Sequence, residues 1–376
     1  MNAGSPFAGY HFELSLAELP EPEPSLGAQA YHAEREKCLN SDPKRRANYE
    51  AYLTSSKASV DVNYLPVKLD IENVSRCNFR CPICPVSKLE GGKRAKDMSL
   101  DELKTLIDEQ YGLVEVKLQG LGEPTIQGEP FFEMIRYIRS KYIWVRTASN
   151  ASLLHLNDNY KALVDSGVNE VQISIDGATK KVFESIRPGS NFPQVIKNCE
   201  KLNDYAVSQS RNVTKAWCVV QKQNFDQLMD TLRLIAGSGF QSAVFAFDIL
   251  SWGDESWTEV STSQSIVNKV TSDLCHSLLE LANQMDVKVG FWFNQSKYNV
   301  ATSKTRCPWP FERAVVTSDS RLVPCCKIAV PEHYEIGTGS DGGLAELWNS
   351  YEYREFRHMH ISGNLPKVCK ACYSNS

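Results

Sequence analysis

The chain has 376 residues and 12 cysteines, and two groups among those cysteines have types and spacing suited to chemistry. The first is Cys77, Cys81 and Cys84, in the segment Arg76-Cys-Asn-Phe-Arg-Cys-Pro-Ile-Cys-Pro85. Three thiolates on one short loop can converge on three irons of a cubane, and thiolate is the soft ligand that iron–sulfur clusters need. The fourth iron then stays open to chelation by an amine and a carboxylate. A structural zinc ion would require a fourth ligand, and no further Cys or His lies close by in sequence. The second group is Cys307, Cys325, Cys369 and Cys372, with Cys326 beside it. Its CPWP, VPCC and CKAC spacing fits an iron–sulfur cluster or a four-thiolate zinc site. The scattered Cys38, Cys199, Cys218 and Cys275 read as small core hydrophobes.

Such groups need elements to position them. From Val67 onward, short apolar strands alternate with amphipathic helices. The strand candidates are VKLDIE, VEVKLQ, IWVRT, NEVQISI, TKAWCVVQ and SAVFAFDI. Ser99 and Glu102 form a capping box that opens a helix over 100–110. Gly167 is a good cap for a helix over about 158–165. This α/β alternation implies a parallel sheet covered by helices, and its six units suit a partial barrel, with the chemistry at the C-terminal ends of the strands. Residues 1–65 read as an N-terminal extension, with an extended Pro/Glu stretch over 19–24 and a charged helical segment over about 31–53. Residues 66–299 read as the barrel. Residues 300–376 read as a small loop-rich domain in which RAVVTSDSRLVP predicts a hairpin and a metal group supplies stability.

The CX3CX2C loop after the first strand, taken with the motifs after the later strands, resembles the radical S-adenosylmethionine (SAM) superfamily, whose fold is a partial (β/α)6 TIM-like barrel. The resemblance covers roughly residues 65–255. It implies that Cys77, Cys81 and Cys84 hold a SAM-binding [4Fe–4S] cluster. In Gly120-Leu-Gly-Glu-Pro124 it assigns Glu123 and the backbone around Gly122 to the SAM amino group. In Thr147-Ala-Ser-Asn150 it points Ser149 or Asn150 at the ribose. It gives the SAM carboxylate to Ser174 and Arg187, with Asp176 ending the same strand, and places Gln221 and Asn224 where SAM or substrate contacts fall. The second cysteine group, with LAELWNSYEYREFR between its members, resembles the SPASM/twitch extension. It has cysteines for one auxiliary [4Fe–4S] cluster, the shorter twitch-like form. Cys307, Cys325, Cys369 and Cys372 are its expected ligands, Cys325 being chosen over Cys326 because it follows Pro324 at the hairpin end. Cys326 is then either a catalytic thiol able to donate a hydrogen atom or an inert neighbour.

By the same resemblance, an external one-electron reductant of flavodoxin or ferredoxin type drives cleavage of SAM to methionine and a 5′-deoxyadenosyl radical, which abstracts hydrogen from substrate. The expected substrate is a small molecule, a carbohydrate or aminocyclitol alcohol that is dehydrogenated. The alternatives are a sugar or aminoglycoside epimerase using Cys326, a peptide-modifying enzyme, and a non-catalytic iron–sulfur or zinc protein. The GEP, ISIDG and SIRPGS motifs argue against the last, because an electron carrier has no use for a SAM pocket. A net charge of −4 gives no reason to expect nucleic acid or an anionic membrane as partner. No apolar run approaches the ~20 residues of a membrane span, and the N-terminus lacks the pattern of a secretory signal, so a cytoplasmic location is expected.

Overall fold

The computed structural model describes residues 19–374, apart from 56, 90, 92, 294–296, 329 and 340–342. Seven parallel strands follow chain order across one sheet: β1 (Lys68–Ile71), β2 (Glu115–Leu118), β3 (Trp144–Ser149), β4 (Glu170–Ser174), β5 (Thr214–Val219), β6 (Ser242–Ala246) and β7 (Lys288–Trp292). The first six coincide with the expected strands. The seventh extends the alternation past the point where its sequence pattern fades, since β7 has Gly290 at its centre and exposed Lys288 at its start.

On the far edge of β1 the sheet continues through β8 (Arg313–Val316), which pairs in parallel with β1. The hairpin to β9 (Arg321–Val323) is present as expected, and β10 (Gly337–Thr338) adds a third antiparallel strand. The C-terminal segment is thus annealed to the barrel sheet rather than hung beside it.

Local sequence explains the helices that cover the outside. Leu100–Glu109 begins with both bonds of the Ser99–Glu102 capping box. Gly167, at φ +83, turns the chain after Asn159–Asp165 in a left-handed conformation that a side chain would resist. Along each strand, side chains alternate between faces. Leu69, Ile71, Val116 and Leu118 point outward into the core shared with Leu103 and Ile107. The inward positions are charged: Asp70 pairs in register with Lys117, Lys117 with Arg146, and Arg146 with Glu170. A closed TIM barrel fills this space with branched apolar side chains; this one keeps a polar lumen.

The N-terminal extension closes the lower end of that lumen. Its helix is split into Gly27–Asn40 and Pro43–Thr54, because Asp42 caps the second and Pro43 cannot continue the first. Ahead of them, the Phe291 N–H donates to the Pro20 carbonyl (2.8 Å) and the Ser25 N–H to Glu170 (3.0 Å), while Lys215 reaches the Glu23 carbonyl. Tyr31 donates to Glu115 Oε2 (2.8 Å) and packs edge-on against Trp144, with ring centroids 5.0 Å apart. Among the described residues no helix is long and apolar enough to cross a membrane.

Arg313 ties this floor together. Its guanidinium spans Asp70 and Glu115, at 3.1 Å each, and Glu115 also lies 3.0 Å from Arg146. Burial alone would raise the Glu115 pKa, but Arg146 and Arg313 hold it well below the usual carboxylate range. Arg313→Ala takes the ion pair from buried Asp70 and leaves Glu115 with Arg146 and Tyr31 alone, so it is expected to cost about 3–5 kcal/mol, read as a lower midpoint in urea unfolding.

Candidate active site

The loop leaving the C-terminal end of β1 carries Cys77, Cys81 and Cys84, all free thiols. Segments from the ends of other strands fix its path. The Gly122 N–H donates to the Val74 carbonyl (3.2 Å) and the Glu123 N–H to the Arg76 carbonyl (2.9 Å). A Cβ on Gly122 would stand 2.4 Å from the first oxygen and 2.5 Å from the second, so only glycine permits this approach. Beyond β4, the Pro188 carbonyl accepts from the Arg80 N–H (2.9 Å); beyond β6, the Trp252 indole N–H donates to the Ile83 carbonyl (2.8 Å). The three sulfurs are close enough to interact electrostatically with one another and with Arg187. Burial pushes the Cys77 thiol up to about 11 and the Cys84 thiol up to about 12, and raises Cys81 as well. As bare thiols they keep their protons, and binding a metal group releases them.

Glu123, expected to meet the SAM amino group, is buried and committed to its own protein. Its carboxylate accepts from the Thr125 hydroxyl (2.6 Å), the Thr125 N–H (3.3 Å), the Ser149 hydroxyl (2.8 Å) and the Asn150 N–H (2.7 Å). Burial raises its pKa despite these donors. Glu123 and Ser149 therefore act here as braces between the β2 and β3 loops. Asn150 reaches back to the cysteine loop, donating to Asn78 Oδ1 at 3.0 Å with its amide nitrogen 3.9 Å from Cys77 Sγ.

Ser174 ends β4, half-buried. Arg187 turns two of its nitrogens onto buried Asp176, with Nε at 2.8 Å and Nη2 at 2.6 Å. Burial would lower the pKa of this guanidinium, yet Asp176 and the nearby thiols raise it. The other Asp176 oxygen accepts from the Val219 N–H (2.8 Å), which locks the β4 and β5 ends together. Gln221 is only 2 % exposed and its amide nitrogen has no hydrogen-bond partner among the described residues, whereas the Asn224 amide donates to the Asp176 and Val219 carbonyls. This unsatisfied buried donor fits a polar ligand lying across the strand ends above the three cysteines.

The second group assembles as well. Cys307 precedes the short helix Trp309–Glu312, Cys325 follows β9, and Cys369 and Cys372 share one side of the 3-10 turn Lys367–Cys372. All four line one cavity, with Lys327 and His360 among its walls. Among the described residues no three Cys, His, Asp or Glu side chains close on a point suited to a single ion. Thiols set around one cavity rather than closed on one point suit a polynuclear cluster better than tetrahedral zinc at ~2.3 Å from each sulfur. Lys327 hydrogen-bonds Cys372, an adjustment to the site that sequence reasoning missed.

Cys326 is absent from that cavity. It is the exposed member of the adjacent pair, and its electrostatic neighbours are Asp70 and Lys117 of the lumen. A hydrogen bond from the Cys325 thiol lowers its pKa, with Lys117 and Lys327 assisting and Asp70 opposing. Burial lowers Lys117 below its ordinary value, and the neighbouring Arg146 reinforces this. Lys117 was also missed, although its place in VEVKLQ, a polar residue flanked by Val and Leu, is the signal of an inward position.

A profile of the radical SAM superfamily matches residues 72–235, and one of the SPASM iron–sulfur cluster-binding domain matches residues 307–373. The chain belongs to the radical SAM superfamily and carries a C-terminal SPASM domain, so it is a radical SAM enzyme whose cofactors are SAM, a SAM-binding [4Fe–4S] cluster and an auxiliary cluster. It is similar to the mycofactocin maturase MftC of Mycolicibacterium smegmatis, 29% identical over 176 residues, 46% of this chain and 43% of that one. The chain thus spans less than half the length of that maturase in the match. A tungsten-containing aldehyde ferredoxin oxidoreductase cofactor-modifying protein of Pyrococcus furiosus is 24% identical over 327 residues, 81% of this chain and 86% of that one. The PqqA peptide cyclase of Rhodopseudomonas palustris is 20% identical over 313 residues, 82% and 79% of the two chains. Among solved structures, SuiB of Streptococcus suis bound to S-adenosylmethionine shares the fold with a TM-score of 0.61 at 14% identity, covering 83% of this chain and 73% of its own.

Gly122→Ala pushes a methyl group into two carbonyl oxygens of the cysteine loop. SAM cleavage, read as 5′-deoxyadenosine formed under dithionite, is expected to fall at least about tenfold, since ~1 Å of misplacement suffices for such losses. The iron of the second cysteine group should be retained.

Proposed function

We propose that this chain modifies a peptide, removing hydrogen from an unactivated C–H bond of a peptide bound in the polar lumen. The observation that carries the reading is similarity over about four-fifths of the chain to a relative named for a peptide substrate, with the maturase supporting it. A carbohydrate or aminocyclitol substrate, expected from the sequence, has no such relative among the proteins described above. Cluster and SAM together supply reductive cleavage of the sulfonium and a primary carbon radical, while the auxiliary centre suits a product that has lost two electrons.

The chain's own residues do the rest. Cys77, Cys81 and Cys84 hold the first cluster. The carbonyls beside Gly122 receive the SAM ammonium, with Glu123 acting through the loops it braces. Arg187 keeps Nη1 for the SAM carboxylate, with Ser174 beside it, and Gln221 offers its unsatisfied amide. Ser149 and Asn150 shape the ribose side. Cys307, Cys325, Cys369 and Cys372 hold the auxiliary cluster. The floor built by residues 20–31 keeps water from entering the lumen from below, as a reactive radical requires. Lys117 and Arg146 favour an acidic group on the peptide. An external one-electron reductant completes the system.

The test is anaerobic incubation of the full chain with reductant, SAM and precursor peptides encoded beside its gene, followed by mass spectrometry. A peptide product lighter by two hydrogens, with substrate deuterium recovered in 5′-deoxyadenosine, is the expected result. Unchanged peptides alongside turnover of a sugar or aminocyclitol would overturn it. Cys326→Ala is expected to keep both SAM cleavage and the oxidised product. Loss of product with SAM cleavage intact, together with solvent deuterium entering the wild-type product, would instead make Cys326 a hydrogen donor and the reaction an epimerisation.

A further inference from the structure

His360 lies in the helix Tyr351–Ser362, is 1 % exposed, and borders the cavity of the four cysteines. Its Nδ1 is 2.8 Å from the Tyr373 hydroxyl oxygen, and that oxygen accepts the Cys307 backbone N–H at 3.1 Å. Among the described residues these are the only hydrogen-bond partners of the phenol. With the backbone donor already in place, the single phenolic hydrogen points to Nδ1. Nδ1 is then an acceptor, and a neutral ring carries its hydrogen on Nε2. The opposite tautomer would leave both the phenolic hydrogen and the Nε2 lone pair without partners. A charged ring would carry a hydrogen on Nε2 as well. Yet Nε2 is buried and has no hydrogen-bond partner among the described residues.

We infer that the Nε2–H of His360 donates a hydrogen bond to a sulfur of the auxiliary cluster or of one of its cysteines. The inference rests on the reading of Cys307, Cys325, Cys369 and Cys372 as cluster ligands. Those four thiolates complete the coordination of a cubane, so the histidine serves as an orienting donor and not as a fifth ligand. Donors to sulfur favour the more negative, reduced state and raise the reduction potential. Lys327, bonded to Cys372, acts in the same direction from the same wall.

The experiment is a potentiometric titration of the iron-loaded full chain, followed by electron paramagnetic resonance. The signal that SAM does not alter is assigned to the second cluster. In His360→Phe, iron per chain is expected to stay constant while that signal's reduction equilibrium shifts about tenfold towards the oxidised form, roughly 59 mV for one electron. An exchangeable-proton coupling seen in wild type by pulsed measurement after deuterium exchange should vanish. His360→Asn, which keeps an N–H donor, should fall between the two. An unchanged midpoint with unchanged iron overturns the inference, as does a strongly coupled ring nitrogen, which would make His360 a ligand. Should the Phe variant not hold iron, the wild-type coupling decides, and its absence overturns the inference. Wild-type iron amounting to one cluster would overturn the underlying cluster assignment instead, a different failure.

Discussion

The cysteine loop is built against backbone, and that contact sets the terms for everything above the strands. Two carbonyls, of Val74 and Arg76, face two N–H groups, of Gly122 and Glu123, across a gap too small for any Cβ. Because neighbouring strand ends are tied at their main chains, the loop's position does not depend on a flexible side chain. Glu123 extends the tie by one more strand. A buried carboxylate is costly to desolvate, but four donors offset that cost and join the β2 turn to Ser149 and Asn150. Asn150 closes the circuit by returning to Asn78. Three loops from three strands thus move as one body, the condition for holding a reactive centre to within a fraction of an ångström.

A second constraint comes from the lumen. Charged inward side chains leave room for a polar substrate but must not be left unpaired, nor open to bulk water from both ends. The first is met by a ladder in which Arg313, contributed by the C-terminal segment, satisfies Asp70 from β1 and Glu115 from β2. The second is met by the N-terminal extension, in which Tyr31 donates to Glu115 of β2 and the Ser25 N–H to Glu170 of β4, while the Glu23 and Pro20 carbonyls accept from Lys215 of β5 and the Phe291 N–H of β7. Segments from both ends of the chain therefore complete one chamber.

The parts that sequence reasoning reached are those governed by local rules. Six strands, the Ser99 capping box, the Gly167 turn and the β8–β9 hairpin all follow from periodicity and turn chemistry within a few residues. The three-cysteine loop and the motifs behind it follow from their order after successive strands. The parts it missed depend on distant pairing. Nothing near Arg313 says that its strand will lie in parallel beside β1, 243 positions away in the Arg313–Asp70 contact. Nothing in the Pro/Glu stretch says that it will seal a barrel. Glu123 is expected at the SAM ammonium because a carboxylate suits a cation, and only the packed structure reveals that it also joins Thr125, Ser149 and Asn150.

The adjacent cysteines show how one chain segment serves two chambers. After β9, Cys325 opens a turn closed by the Ile328 N–H on its carbonyl (3.0 Å). Cys325 lines the cavity of the four cysteines, while Cys326 has Asp70 and Lys117 of the lumen as electrostatic neighbours. The hairpin end therefore stands between the cavity of the four cysteines and the lumen. Lys327 belongs to the same turn and interacts with Cys372, so the register of this hairpin also sets the charge around the auxiliary site. Annealing β8 to β1 is what holds that register, so the partition between the chambers is set by the barrel sheet itself.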